Sequence, residues 1–503
     1  MNHLKHKLAM VTLAAVSAGF ASGVGASAPV SPNVPLNSYV YDYVDALYGQ
    51  GYINQALPTT KPYSRMQVAK WVDSIDMRGH QPEYIQSMVG QLQKEFQVEL
   101  DSIHSGQAIH DVAVKNVSME VAATNSHVRN TVNPTAGYQA FAENRGGYGY
   151  ENGLNMNTSV AVEGYQGKHL AFAVTPRFDA GDNKGRVSLQ DAYAKTSIGN
   201  LEIQVGKEDQ WWGPMKTGAL GLSNNAQART GVTLTSVEPI KIGGFMRFLG
   251  SVKPTMFYSR LSSERQDRQK PDFAGARIEF MPTENFTIGA GMTSIMGGVG
   301  HTLSGRDWGK WFTGKNAEDV DGDKWDSVAG YDVSYRFPNF ELYGSAYGED
   351  QSTSSLGIPS LSEIAWTAGV YVPAIGNKGD WNVRLEGGKT NQAWYNNWAY
   401  TDGYVHKGNI IGDAMGNDSQ RIYARLGHYD SKANSIGANL EYLKLNQDQA
   451  VAPKVVKLWL DSRYRVHTDW LLEGRLGIAR TSEYKPNQDT TDYMVGLNVV
   501  REF

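Results

Sequence analysis

The amino-acid sequence predicts a mainly β protein, a transmembrane antiparallel β-barrel of about 18 strands with a small N-terminal α-helical domain. Two observations support this prediction. From about Val112 to the C-terminus, apolar and polar residues alternate in segments of about 9 to 11 residues, the length that crosses a bilayer at a tilt. Hydrophobic residues make up only 41% of the chain and the mean hydropathy is -0.43, which is too polar for a helical membrane protein but normal for a barrel with a watery lumen.

The composition excludes several classes of protein. The chain has no cysteine, which rules out disulfides, thiol catalysis and cysteine-ligated zinc. The net charge of -4 is weak and there is no long basic run, so we expect no nucleic-acid partner. The motifs G-x-S-x-G and H-E-x-x-H and the phosphate-binding loop are missing, so the sequence predicts neither an enzyme nor a cofactor.

Residues 1–26 are predicted to be a signal peptide. A basic start at 3–7 is followed by an apolar stretch at 8–20 that is too short to cross a bilayer as a helix. A small-x-small cleavage site at 24–26 then places the mature N-terminus near Ser27. A buried N-terminal helix is the less favoured alternative.

Residues 33–110 are predicted to form a small domain of three helices, because the chain has helical periodicity from about Leu36 to Leu100. The apolar residues of the first helix share one face: Tyr39, Val40, Tyr43, Val44 and Leu47. Ser64 and Gln67 are placed to form a capping box that opens a second helix. Pro82 opens a third helix, whose apolar stripe is Ile85, Met88, Leu92 and Phe96. These amphipathic faces must bury against one another or against a larger partner.

Residues 112–503 are predicted to form the barrel. Counting strands back from Phe503, short and long connections alternate, as in barrels with short periplasmic turns and long outer loops. The long connections lie near 130–155, 207–235, 297–326 and 389–419. This parity gives about 18 strands if the region 230–260, which prolines and glycines interrupt, holds one descending and one ascending strand.

The last strand ends in a C-terminal phenylalanine, and its apolar residues share one face: Tyr493, Val495, Leu497, Val499 and Phe503. Such an ending resembles the assembly signal of bacterial outer-membrane proteins. Together with the signal peptide, it predicts a multi-pass barrel in the outer membrane. The partners implied are outer-membrane lipids and, during biogenesis, the barrel assembly machinery.

Three aromatic-rich segments fall in long connections on the same, outer side: 210–214, 306–325 and 394–416. Aromatic faces stack on the C–H groups of sugars, and flanking polar side chains bind hydroxyls. We therefore predict a sugar-binding site at Trp211, Trp212, Arg306, Trp308, Trp311, Trp394, Trp398, Tyr400, Asp402, Tyr404 and Asp413. The alternative is that the tryptophans only pack the loops together over the barrel mouth.

Two groups of charged residues leave alternatives open. The acidic run 318–323 is either a solvated loop, which we favour, or a calcium site. It does not fit an EF-hand, because Lys324 and Gly330 stand where that pattern needs a glycine and a glutamate. Arginines and acids at lumen-facing positions of the strands either brace the barrel, which we favour, or line a polar conduit.

Two motifs resemble the Wzi family of capsule assembly proteins: the segment 210–214, Gln-Trp-Trp-Gly-Pro, and the segment 412–416, Gly-Asp-Ala-Met-Gly, which follows Asp-Gly-Tyr at 402–404. With the helical N-terminal domain, the resemblance covers most of the mature chain. It implies a barrel of about 18 strands with a helical bundle against its periplasmic end. It also implies an outer-membrane lectin that anchors or organises capsular polysaccharide, with the matching motif residues Trp211, Trp212, Gly213, Asp413 and Met415.

The sequence therefore predicts a non-enzymatic barrel that binds capsular or exopolysaccharide through extracellular loops, with the helical domain as a periplasmic plug. A sugar-permeable porin is the main alternative, because an open barrel of about 18 strands is wide enough for an aqueous channel. A hydrolase or lipase that uses the acids of the lumen is a third possibility. The discriminating feature is whether the helices and long loops block the lumen.

Overall fold

The computed structural model describes the chain from residue 29 onward, over residues 29–54, 57–130, 135–181, 185–312, 318–319, 322–353, 359–485 and 488–503. The predicted signal peptide lies outside these residues. No helix in the described part of the chain is long and apolar enough to cross a membrane.

Eighteen antiparallel strands close into a barrel, which confirms the predicted fold class. In chain order the strands are β1 (Ile109–Thr124), β2 (Gly153–Gly167), β3 (Leu170–Ala180), β4 (Gly185–Ile198), β5 (Leu201–Glu208), β6 (Arg229–Ser236), β7 (Ser251–Arg260), β8 (Asp272–Thr283), β9 (Phe286–Met296), β10 (Trp325–Arg336), β11 (Glu341–Thr353), β12 (Pro359–Ile375), β13 (Trp381–Lys389), β14 (Gln420–Tyr429), β15 (Ser435–Lys444), β16 (Lys454–His467), β17 (Trp470–Lys485) and β18 (Gln488–Glu502). The barrel closes because β1 pairs with β18, from Asn116 opposite Glu502 to Thr124 opposite Met494.

The region interrupted by prolines and glycines holds β6 and β7, one strand in each direction, as predicted. Between them, Ile240–Lys241 pairs with β7 and Gly244–Leu249 forms a 3-10 helix. The strand parity is therefore preserved around the barrel. We call the end with most of the short connections, such as 168–169 and 284–285, the turn end, and the opposite end the loop end.

Each strand presents one face outward and the other to the lumen. In β16, the side chains of Leu458 and Leu460 are exposed on the outside, whereas Lys457 points inward and pairs with Glu143 and Glu441. The exposed outward band continues around the barrel through Leu385, Ile422, Leu426, Ile436, Leu440, Leu476, Ile478, Val495 and Leu497. An apolar outer face with charges inside is the pattern of a barrel that is solvated by lipid.

In the chain from residue 29 onward, four helices precede the barrel: α1 (Val40–Gly49), α2 (Arg65–Asp73), α3 (Glu83–Glu95) and α4 (Gln97–Ser105). The prediction of three helices was wrong, because the third is interrupted at Phe96, whose φ of -105° and ψ of 21° depart from helical geometry. The predicted cap of α2 forms in part, since Ser64 Oγ accepts a hydrogen bond from the backbone N–H of Gln67 at 3.2 Å. The Gln67 side chain accepts instead from Lys253, which ties α2 to β7.

The helices pack against the turn end of the barrel. The hydroxyl of Tyr84 donates to the carbonyl of Gly379 at 2.6 Å, and the amide of Gln91 donates to the carbonyl of Lys432 at 2.8 Å. Both acceptors lie in short connections between strands. The apolar faces of the helices meet in one core, which includes Val40, Val44, Leu47, Val68, Ile85, Met88, Leu92 and Phe96.

Candidate functional site

The Gln-Trp-Trp-Gly-Pro segment lies inside the barrel. It belongs to the connection 209–228, which folds back into the lumen from the loop end. There Trp211–Trp212 pairs with Thr60–Lys61 in a short antiparallel ladder. We call residues 57–62 the tongue, because they enter the lumen from the helices at the turn end. Both tryptophans are buried where the tongue meets this connection.

Arg277 of β8 fixes the tongue to the barrel wall. Its guanidinium donates to the hydroxyls of Thr60 at 2.8 Å and Thr59 at 2.7 Å, and it pairs with Asp332 of β10. Glu279 accepts hydrogen bonds from the backbone N–H and the hydroxyl of Thr59, at 3.0 and 2.6 Å. The side chains of Arg277 and Asp332 are 0% exposed. The network therefore lies in a low-dielectric interior, where an unmatched charge is costly.

The Gly-Asp-Ala-Met-Gly segment anchors the connection 390–419 to the wall. Asp413 is 0% exposed, and its carboxylate accepts two hydrogen bonds from the guanidinium of Arg421 in β14, at 2.8 and 2.5 Å. The same carboxylate accepts from the backbone N–H of Met415 at 3.0 Å. Gly218 approaches so closely that a Cβ there would lie 2.4 Å from Asp413 Oδ2. In this conformation Asp413 fixes the shape of the loop and is sealed from solvent.

Trp394, Tyr400 and Tyr404 fill an apolar core inside the barrel at the loop end. The hydroxyl of Tyr404 donates to the carbonyl of Gly221 at 2.6 Å, and the hydroxyl of Tyr400 donates to the carbonyl of Lys324 at 2.9 Å. These rings join three different connections. Their placement matches the alternative in which aromatic residues pack the loops together.

Two titratable groups of the same connection are also buried. Asp402 accepts a hydrogen bond from the backbone N–H of Gln266 at 2.7 Å. Burial, reinforced by the positive charges of Arg229 and Lys407, lowers the pKa of His406 to about 3. The imidazole is therefore neutral at physiological pH, as expected in a dry interior.

Trp398 differs from the other aromatic residues of the connection 390–419, because its side chain is 67% exposed. Its indole N–H donates to Asp323 Oδ2 at 3.1 Å, which fixes the orientation of the ring. Asn396 and Asn397 flank it with partly exposed side chains. We call Asp323, Asn396, Asn397 and Trp398 the Trp398 platform. An exposed ring face beside amide and carboxylate groups has the chemistry to bind a sugar.

The first part of the aromatic segment 306–325 forms a short helix, α5 (Gly305–Phe312), which lies outside the barrel wall. The indole N–H of Trp311 donates to Ser294 Oγ at 2.7 Å. Ser294 points outward from β9, because the next residue, Ile295, belongs to the core inside the barrel. The helix carries three of the predicted binding residues: Arg306, Trp308 and Trp311. The structure thus places Trp211–Trp212 in the lumen, Trp398 at the loop surface, and Trp308 and Trp311 on the outer wall, rather than in one site.

The lumen contains a polar chamber of about 530 Å³. Its lining includes residues 35–38 and 41–42 from the turn end and 143–146 from the loop end. Many of its charges form ion pairs: Arg425 with Asp461, Arg463 with Glu473, Lys457 with Glu441 and Arg145 with Glu120. Lys216 of the connection 209–228 pairs with Asp42 of α1, so the structures that enter from the two ends meet. The pairing favours the interpretation that these charges brace the barrel.

Within the described ranges, no group of three or more histidines and acids is arranged to hold a metal ion. The acidic run 318–323 falls partly outside those ranges, at residues 320–321. Asp323, at its end, instead accepts the hydrogen bond from Trp398.

These features define a class of protein: a transmembrane barrel of eighteen strands whose lumen is occupied from both ends, by a helical domain with its tongue and by inward-folded loops. The family model described as capsule assembly protein Wzi matches residues 125–493. The chain therefore belongs to the Wzi family of capsule assembly proteins, as the two motifs indicated.

Solved structures with a similar fold include a Wzi protein of Escherichia coli, described as an outer-membrane protein of group 1 capsule assembly and a carbohydrate-binding β-barrel. It is 18% identical, with a TM-score of 0.72, over 95% of this chain and 100% of that one. The Pseudomonas aeruginosa protein OccD3 is 11% identical, with a TM-score of 0.45, over 79% of this chain and 92% of that one. No curated protein sequence matches the chain.

Proposed function

We propose that the chain binds capsular or exopolysaccharide at the cell surface and helps to assemble or anchor it there. The observation that carries this proposal is the Trp398 platform, an exposed indole that Asp323 fixes in place at the loop end. The face of the indole covers the C–H face of a sugar ring, while carboxylate and amide groups bind hydroxyls. The similar Escherichia coli protein, described as a carbohydrate-binding barrel, supports the same function.

Within the predicted set, we propose direct sugar contact for Trp398. The buried residues support the surface on which it sits: Trp394, Tyr400, Asp402, Tyr404 and Asp413. Trp211 borders the polar chamber, and Trp212 packs on the tongue. The hydrogen bond from the indole N–H to Asp323 holds the ring of Trp398 in place, which reduces the entropy lost on binding.

We propose that the loop end faces the exterior and the turn end faces the periplasm. Outer-membrane barrels have short periplasmic turns and long extracellular loops. The helical domain, which is hydrogen-bonded to the turn end, then lies in the periplasm as a plug. Phe503 also lies at the turn end, where its backbone N–H donates to the carbonyl of Lys115 at 3.0 Å. Outer-membrane lipids surround the barrel, and the barrel assembly machinery inserts it.

We propose that binding is the whole of this function and that the chain is not an enzyme. Many acids of the lumen have structural partners. Glu386, for example, accepts hydrogen bonds from the backbone N–H groups of Lys216 at 2.9 Å and Thr217 at 3.0 Å, and from the hydroxyl of Tyr343 at 2.8 Å. A carboxylate occupied by such donors is not poised to protonate a leaving group or to attack a substrate.

The substitution Trp398→Ala is expected to weaken binding of the host's own capsular polysaccharide about tenfold, because it removes a stacking surface worth about 1.4 kcal/mol. Calorimetric titration of the purified, detergent-folded protein measures the affinity. The matched control is Trp381→Ala, which removes an equally large, exposed ring at the turn end. The control should bind as the wild type does. Equal binding by Trp398→Ala and the wild type would exclude the platform as the site.

The wild-type protein is expected to show negligible single-channel conductance in planar bilayers. The tongue meets the connection 209–228 in the lumen, and the connection 390–419 fills the loop end, so these segments obstruct the path for ions. A porin of this strand number would instead give large and stable conductance steps. Such steps, without polysaccharide binding, would identify the protein as a porin.

A further inference from the structure

The helix α5 packs against the bilayer-facing side of the barrel wall, at the loop end. Trp311 is buried against Met296 and Trp325, whose side chains point outward from β9 and β10. Trp308 lies beside the ring of Tyr258, with 5.9 Å between the ring centroids. The outward direction follows from the alternation of side chains along each strand. Phe257, Ile295 and Val328 occupy the alternate positions and belong to the core inside the barrel.

This helix is well capped and amphipathic. The carboxylate of Asp307 accepts hydrogen bonds from the backbone N–H and the hydroxyl of Ser304, at 2.9 and 2.7 Å, which closes a capping box. Arg306 and Lys310 are four residues apart and therefore lie on one side of the helix, where Arg306 is exposed and Lys310 partly exposed. Phe312 remains 44% exposed at the end of the helix.

We propose that α5 is an interfacial helix that binds phosphate-bearing lipid headgroups of the outer leaflet. Trp308 and Phe312, which stay partly exposed after the helix packs on the wall, extend the apolar outward band into the headgroup layer. Arg306 and Lys310 supply the positive charge that attracts anionic headgroups. The inference rests on the orientation given under the proposed function, in which the loop end faces the exterior.

The helix is placed for lipid rather than for polysaccharide. It packs on the outward faces of β7, β9 and β10, whereas Trp398 belongs to the connection 390–419, which fills the lumen. Aromatic rings beside basic side chains are the composition of helices that lie in the plane of a membrane interface. The predicted residues Arg306, Trp308 and Trp311 therefore belong to a membrane contact in this proposal.

A fluorophore on α5 tests this proposal, because the natural chain has no cysteine. A Cβ at Gly309 would meet no heavy atom within 4 Å, so Gly309→Cys accepts an environment-sensitive label. The labelled protein is folded into phosphatidylcholine vesicles with and without diphosphoryl lipid A. The emission is expected to shift to the blue when lipid A is present. When Arg306→Gln and Lys310→Gln are combined in the labelled protein, roughly tenfold more lipid A should be needed to produce half of that shift.

Two controls match these variants. Lys407→Cys carries the label on an exposed residue of the connection 390–419 and should show no shift. Lys378→Gln with Lys407→Gln, tested with the label at Gly309→Cys, removes the same charge elsewhere and should leave the titration unchanged. Each variant is first shown to be folded by its heat-modifiable migration in electrophoresis.

An emission that does not depend on lipid A, or a titration that neutralisation of Arg306 and Lys310 leaves unchanged, would overturn the proposal. The vesicles carry lipid A in both leaflets, so the result does not depend on the orientation of the protein. The assay also contains no polysaccharide. A negative result would therefore count against α5 alone and leave the proposed sugar binding intact.

Discussion

Asp413→Ala is expected to release the connection 390–419 from the barrel wall and to open the lumen to ions. The substitution leaves the guanidinium of Arg421 buried without its carboxylate, and breaking a buried pair in this way costs about 3–5 kcal/mol. It also removes the acceptor for the backbone N–H of Met415. Bursts of single-channel conductance should appear that the wild type lacks, together with cleavage of the connection by added protease.

Two variants separate loss of the anchor from general damage. Asp413→Ala combined with Arg421→Met removes both charges and should recover much of the lost stability, because no buried charge is left unpaired. Asp272→Ala breaks an ion pair in which the partner, Arg260, is 67% exposed, so the expected cost is only about 0–1 kcal/mol. If Asp413→Ala kept a closed, protease-resistant barrel, another contact would have to hold the connection in place.

The barrel could be predicted from the sequence because its signals are local and repeated. Period-two alternation follows from strand geometry, and the outward face has to be apolar wherever lipid surrounds it. The parity of short and long connections then decided the number of strands in the ambiguous region 230–260. Two strands were expected there, and the structure has β6 and β7. The helical domain was predicted less well, because the break at Phe96 is a change of backbone angles inside a continuous apolar stripe.

The candidate site could be predicted only in part, because aromatic composition does not reveal exposure. Trp394 and Trp398 are four residues apart in the same aromatic segment, yet the first is fully buried and the second is the exposed ring of the platform. Burial of Trp394 depends on contacts with distant connections that fold into the lumen. A single sequence carries no local signal for such contacts.

Two other placements depend on chain segments that are far apart in the sequence. The tongue pairs with Trp211–Trp212 over only two residues, which is too short for any periodicity to show. The position of α5 outside the wall depends on which residues of β9 and β10 face outward. The segment 305–312 alone would suit a helix on either side of the wall.

Arg277→Ala is expected to free the tongue and to loosen the helical domain from the barrel. The variant leaves the buried carboxylate of Asp332 without its cation, and Thr59 and Thr60 lose the donor that fixes them. The expected cost is about 3–5 kcal/mol, which corresponds to a roughly hundredfold or greater increase in local opening. Hydrogen–deuterium exchange of peptides that cover 57–64 and 209–214 measures this opening directly, because the two segments pair through their backbones.

The controls for this variant test whether charge alone or its geometry holds the tongue. Arg277→Lys keeps a cation but loses the planar fork that reaches Thr59, Thr60 and Asp332 together, so its exchange should be intermediate. Arg480→Ala breaks an exposed pair with Asp489 and should leave the tongue protected. If exchange at 57–64 were the same in Arg277→Ala as in the wild type, the helices at the turn end, rather than the buried ion pair, would be what holds the tongue in the lumen.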